Sequence, residues 1–238
     1  MIMTQKEQVY LAMERNGGYA TFQQLNRIVD TSNWKTKTPD ATIRRIVQEN
    51  KDFFKIKPGL WALTSCQENV LKRLEIQQGN VGLDNRFTHT YYQGMVVEIG
   101  NYKHYNTYIP AQDKNKKFLE TKLCKLATLQ DIPEFTYSNL LRRAKTVDVI
   151  WFNERCMPCG FYEIEHTTDI KNSLSKFYEL QDFRADFLII ADEKRREQFN
   201  EIISSSMYNA ISKFVKFMSY DNLVKQYEKE NIILSEEL

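Results

Sequence analysis

Two short stretches of this sequence carry the groups best suited to chemistry. In Thr146-Val147-Asp148-Val149-Ile150-Trp151-Phe152, Asp148 is the one charge in an apolar run. In Phe161-Tyr162-Glu163-Ile164-Glu165-His166, two glutamates stand one residue apart. Both stretches are β-prone, and the segment between them, Asn153 to Gly160, suits a hairpin turn. Side chains alternate along a strand, so Glu163 and Glu165 share a face while Ile164 and His166 take the other. Adjacent strands would thus bring three carboxylates together. An ionised carboxylate in an apolar strand is costly without a partner, and like charges held close repel. A hard divalent cation with oxygen ligands, Mg²⁺ or Mn²⁺, is the simplest stabiliser, and metal-assisted hydrolysis is the chemistry such a site supports.

The elements that would position these acids follow from the pattern around them. Before them, a helical stretch begins at His89, with Tyr92, Met95-Val96 and Ile99 on one stripe, Glu98 beside it and Gly100 at its end. A β-prone segment, Tyr105 to Ile109, comes next. After the hairpin the pattern predicts helix Ile170 to Leu180, strand Asp186 to Ala191, helix Glu193 to Ile203, strand Phe214 to Ser219 and helix Asp221 to Lys229. This motif and order resemble the PD-(D/E)XK nuclease superfamily across about residues 88 to 230. The resemblance implies that Asp148 and the tripeptide Glu163-Ile164-Glu165 bind Mg²⁺ and position a water for attack on phosphorus. It also implies that Glu98 is the acid which the family often carries on its first helix.

Glu165 stands where the family usually has lysine, a variant found in some restriction endonucleases. The cation lost there has two candidate replacements, Lys171 and Lys176, although lysines on such a helix are more often exposed. His166 is expected to have a structural role or to support the site indirectly, because it faces away from the glutamates. The structural alternative is an inactive nuclease-like fold, or acids paired with Arg142, Arg143 and Lys145.

Residues 1 to 64 hold 10 Lys/Arg against 6 Asp/Glu, whereas the rest of the chain is slightly acidic. Capping boxes at Thr4–Glu7 and Thr21–Gln24 open two helices, and Pro39-Asp40 opens a third that buries Ile43 and Ile46-Val47. The runs Phe53 to Lys57 and Leu60 to Leu63 then form a hairpin about Pro58-Gly59. Three helices and a hairpin make a winged helix. Thr38-Pro39, Ile43-Arg44-Arg45 and Gly59-Leu60-Trp61-Ala62-Leu63 resemble the HARE-type helix-turn-helix domains. The resemblance implies that Lys35, Lys37, Arg44 and Arg45, with Lys55 and Lys57 on the wing, face DNA phosphates. Lys114, Lys116 and Lys117 form a second basic segment, since residues 103 to 125 hold six lysines against two acids.

The composition is that of a globular chain: 42% hydrophobic, 27% charged, net +2. No apolar run reaches the length of a membrane helix, and no signal peptide is expected, which implies a cytoplasmic protein. The 8 glycines lack GxGxxG, GxxxxGK[ST] or GxSxG spacing, so dinucleotide, Walker-type and hydrolase-elbow chemistry lose their warrant. Cys156 and Cys159 sit at CxxC spacing without further zinc ligands and read as part of a hairpin turn.

The expected fold class is α/β (α+β overall), with a winged helix over 1–64, a linker helix and loop over 65–87, and a mixed sheet flanked by helices over 88–238. The resemblances imply a Mg²⁺-dependent type II restriction endonuclease that cuts double-stranded DNA to leave 5′-phosphates. A homodimer and a cognate DNA methyltransferase would accompany that activity. The competing expectation is a non-catalytic DNA-binding regulator whose nuclease-like domain serves dimerisation or docking.

Overall fold

The computed structural model describes residues 3–57, 59–74, 85–166 and 169–236. They form two compact units: Met1–Asp84 with the chain from Glu228 onward, and Asn85–Tyr227. The boundaries differ from the expected ones in two places. The helix expected in a linker clusters with the first unit, and the last helix is divided at Glu228. The loop expected around Gly79 and Gly82, and Pro58 of the first hairpin, lie outside the described residues.

The first unit runs α1 (Gln5–Arg15), β1 (Tyr19–Thr21), α2 (Phe22–Ile28), α3 (Pro39–Glu49), β2 (Phe53–Lys57), β3 (Leu60–Leu63) and α4 (Gln67–Arg73). Both expected capping boxes form. Thr4 accepts from the Glu7 amide while the Glu7 carboxylate accepts from the Thr4 amide, and Thr21 and Gln24 do the same for α2. Val9, Met13, Leu25, Ile43, Val47 and Phe53 bury their side chains in one core. The strands pair antiparallel in the order β1-β3-β2. β1 was not expected, because three residues are too few to show a period.

The second unit runs α5 (Asn85–Tyr102), β4 (Asn106–Tyr108), β5 (Lys117–Phe118), β6 (Thr121–Lys122), α6 (Leu123–Leu126), α7 (Ser138–Ala144), β7 (Val149–Phe152), β8 (Pro158–Glu165), α8 (Ile170–Glu179), β9 (Asp186–Ala191), α9 (Arg196–Ile203), β10 (Val215–Ser219) and α10 (Tyr220–Glu236). Its five-stranded sheet has the order β10-β9-β8-β7-β4, with β8, β9 and β10 parallel and β7 and β4 antiparallel to their neighbours. The fold is therefore mixed α/β, as the sequence implies. Phe161, Phe187 and Ile189 from the sheet pack in one core with Leu174 and Phe177 of α8 and Phe199 of α9. On α5, two glycines permit close contacts. A Cβ at Gly94 would meet the Phe118 ring at 2.3 Å, and one at Gly100 would meet Trp151 Nε1 at 2.6 Å. The Trp151 indole donates to the Val96 carbonyl at 3.2 Å, which fastens α5 to β7. No helix among the described residues is long and apolar enough to cross a membrane.

Candidate active site

The β7–β8 register sets the site. Val149 pairs with Tyr162, so Asp148, one residue before β7, arrives beside Glu163. Its Oδ2 accepts the Ile164 amide at 2.8 Å, folding the side chain over the neighbouring strand. Glu163 and Glu165 share a face as alternation requires, since the Ser173 hydroxyl contacts both: Glu163 Oε2 at 2.9 Å and Glu165 Oε1. They are 2% and 3% exposed. Two charges so deep need compensation, and here the protein supplies it.

That compensation comes from α8. Lys176 Nζ lies 2.9 Å from both Glu163 oxygens and 2.9 Å from the Thr146 carbonyl, so one ammonium bridges the start of β7 and the middle of β8. Lys176 is 8% exposed, which corrects the expectation of a solvated lysine; Lys171 is exposed. The apolar stripe of α8, Ile170, Leu174 and Phe177, carries Ser173 and Lys176 inward with it. Arg195, in the 3-10 turn before α9, brings Nη1 to 3.8 Å from Glu165 Oε2. Burial first, and the Asp148 charge second, push the Glu163 carboxyl up to about 8, against the opposing pull of Lys176 and Ser173.

From α5, His89 Nε2 lies 3.2 Å from Asp148 Oδ2, and Gln93 donates to the Asp148 carbonyl at 2.8 Å. Burial alone would depress the His89 imidazole; the hydrogen bond and charge of Asp148, with Asp113 adding, raise it above its ordinary value. Glu98 takes a different place. It accepts a hydrogen bond from the Tyr227 hydroxyl of α10, and nine residues from His89 at 100° per residue put it across the helix. The His166 ring contacts the Tyr220 hydroxyl at 3.4 Å, away from the glutamate face.

The three-carboxylate metal site expected from the sequence is not formed. Among the described residues, no three His, Cys, Asp or Glu side chains are placed to hold one metal ion. The physical reason is that Lys176 and Arg195 neutralise the glutamates from outside the hairpin. Asp148 and Glu163 nonetheless supply hard oxygens side by side. Mg²⁺ typically takes one or two carboxylates, keeping its other positions for water and substrate phosphate, so this donor set fits it.

Residues 70–236 match the family described as Type II restriction enzyme NmeDI C-terminal domain. The chain belongs to this family. It is a restriction endonuclease-like protein, and every residue of the site just described, from His89 to Arg195, lies inside the matched segment. Neither the curated proteins nor the solved structures gave a match.

The basic residues divide. Lys35, Lys37, Arg45 and Lys55 are exposed in the N-terminal unit, which lies mostly before the family's segment. Arg44 instead pairs with Glu228 at 2.8 Å and lies over the Phe22 ring. Lys57 is buried, which corrects its reading as a phosphate-facing group: a register shift between Lys55 and Lys57 turns the end of β2. Within the family's segment, Lys117 is exposed, Lys116 pairs with Asp113 at 2.5 Å, and Lys114 lies 3.7 Å from Asp131.

Proposed function

We propose that the chain is an endonuclease that hydrolyses double-stranded DNA with Mg²⁺ or Mn²⁺, leaving 5′-phosphates. The observation that carries this reading is the meeting of Asp148, Glu163 and Lys176 at the start of one strand and the middle of the next, in a chain of a restriction-enzyme family. Asp148 and Glu163 would hold the cation, which when bound polarises the phosphate and acidifies water. Glu165, on the same face, orients the water. Water attacks phosphorus and gives up a proton to solvent, the bond to the 3′-oxygen breaks, and that oxygen leaves as a hydroxyl with a proton taken from solvent. Lys176 sets positive charge beside the phosphate as its negative charge develops. This layout also supports reading the chain as a PD-(D/E)XK enzyme with glutamate at the usual lysine position and the lysine brought by α8.

Three helices and the β1-β3-β2 sheet support reading the N-terminal unit as a winged helix that holds DNA through Lys35, Lys37, Arg45 and Lys55. Cutting both strands with one site per chain calls for a homodimer, and protection of host DNA calls for a partner methyltransferase. The test is to incubate the protein with DNA of varied sequence and Mg²⁺ and to sequence the ends. Recurrent cut sites, lost in Asp148→Ala, are expected. Binding without cleavage would favour the non-catalytic regulator instead.

A further inference from the structure

The metal-assisted reading gives Asp148 its role, but not its orientation. A carboxylate at the mouth of a strand can rotate, and either oxygen can turn to a ligand. Here both described contacts to the Asp148 carboxylate fall on Oδ2: the Ile164 amide at 2.8 Å and His89 Nε2 at 3.2 Å. A carboxylate only accepts from these groups, so the imidazole donates from Nε2. Its Nδ1 is buried with no hydrogen-bond partner, which leaves Asp148 as the ring's described hydrogen-bonding task.

One turn further along α5, Gln93 is fully buried and sends its amide to the Asp148 carbonyl at 2.8 Å and to Asp113 Oδ2 at 3.0 Å. His89 and Gln93 are four residues apart, hence on one face of the helix. The helix thus grips residue 148 twice, by its carboxylate and by its backbone. The Asp113 end of the grip is tied down in turn, since Asp113 also holds Lys116 at 2.5 Å.

We propose that His89 and Gln93 are positioning residues for the metal-binding aspartate: His89 occupies Oδ2 so that Oδ1 is presented to the cation, and Gln93 fixes the backbone from which the side chain springs. The inference rests on the proposed nuclease site and adds residues that neither the motif nor the family match assigns. Partners that orient metal ligands without touching the metal are worth about 10- to 100-fold in metal affinity.

The experiment titrates Mn²⁺ into the full-length protein without DNA, by calorimetry or by loss of the free-ion electron paramagnetic resonance signal, with thermal melting as a check on folding. His89→Gln keeps a donor at the reach of Nε2, whereas His89→Asn places its amide nearer the backbone, at the level of Nδ1. We expect Asp148→Ala to lose Mn²⁺ binding, His89→Ala and His89→Asn to weaken it about tenfold or more, and His89→Gln to stay within about threefold of the wild type. Gln93→Leu is expected to weaken it similarly to His89→Ala. If Asp148→Ala loses Mn²⁺ while His89→Ala and His89→Asn bind it as the wild type does, the positioning role is overturned and the site stands. If Asp148→Ala binds as the wild type does, the site itself is wrong. Should His89→Ala fail to fold, the Gln and Asn variants decide: equal affinity in the two overturns the proposal.

Discussion

Replacing Lys176 by methionine keeps most of the side chain's length and removes its ammonium, which separates what the lysine does for the fold from what it does for turnover. Its ammonium makes three contacts at 2.9 Å: two to Glu163 and one to the Thr146 carbonyl. Breaking a buried ion pair costs about 3–5 kcal/mol when the remaining charge has no escape. Glu163 has one. Its carboxyl already sits up at about 8, so near neutral pH it takes a proton readily. The stability loss then falls to that of the lost hydrogen bonds, about 1–2 kcal/mol, or a few degrees of melting temperature for a chain of this size. Turnover has no such escape. The cation facing the phosphate is gone, and without the pull of Lys176 the Glu163 carboxyl rises further, so a metal ion displaces its proton at greater cost. A single electrostatic group of this kind is worth on the order of a hundredfold in rate, about 2.7 kcal/mol. The assay is single-turnover cleavage at saturating enzyme, well below the melting temperature of the variant. A fall of less than about threefold would refute the reasoning and return Lys176 to a structural role.

Other outcomes follow from the same geometry. Glu98→Gln should leave turnover within about threefold, because Glu98 faces Tyr227; a hundredfold loss in the same assay would put it back at the site. The raised Glu163 carboxyl means that the folded protein keeps a proton which the unfolded chain releases above about 4.5. Its stabilising contribution is thus full below that pH and is lost as pH rises to about 8, at up to about 1.4 kcal/mol per pH unit. His89 shifts with the same sign, so the difference in urea midpoint between wild type and Glu163→Gln isolates the glutamate; parallel pH profiles would refute the shift. Changing Lys35, Lys37, Arg45 and Lys55 together to alanine should make the slope of log affinity against log salt shallower by about 3–4, on the order of 0.9 per phosphate contact. An unchanged slope in a filter-binding titration would assign this face to something other than DNA.

Most of the second unit was legible in the sequence because its strands announce themselves. Asp186 to Ala191 is an uninterrupted apolar run after one charge, and it forms β9 with those bounds. The hairpin carrying the acids was equally plain, since alternation alone put Glu163 and Glu165 on one face. The two-residue strands β5 and β6 were not legible, being shorter than any period that could reveal them. Of the acids named from the sequence, Asp148, Glu163 and Glu165 meet at the hairpin, whereas Glu98 meets Tyr227 instead. The helix pattern gave the existence of α5 but not the face that Glu98 would share with its partners. Ser173, Arg195, His89 and Gln93 were missed, because each reaches the site through tertiary packing and none stands near the acids in a motif. Lys176 had a usable signal: it falls between Leu174 and Phe177 of a buried stripe, where a lysine needs a partner.

The charge balance of the site explains why that partner is a glutamate of the strand. With glutamate rather than lysine at position 165, the hairpin contributes three acidic side chains, and their mutual repulsion in a buried site would oppose folding before any ligand arrives. Lys176 from α8, Arg195 from the turn before α9 and His89 from α5 each set a donor against one of them. The three donors come from three different elements, so assembling the site requires α5, α8 and the β9–α9 connection to be docked on the sheet. On the proposed nuclease reading, glutamate in place of lysine at position 165 is therefore more than a change of one catalytic group. It moves the site's positive charge from the hairpin, where it would be fixed by local alternation, to the surrounding helices, where only the completed fold holds it in place.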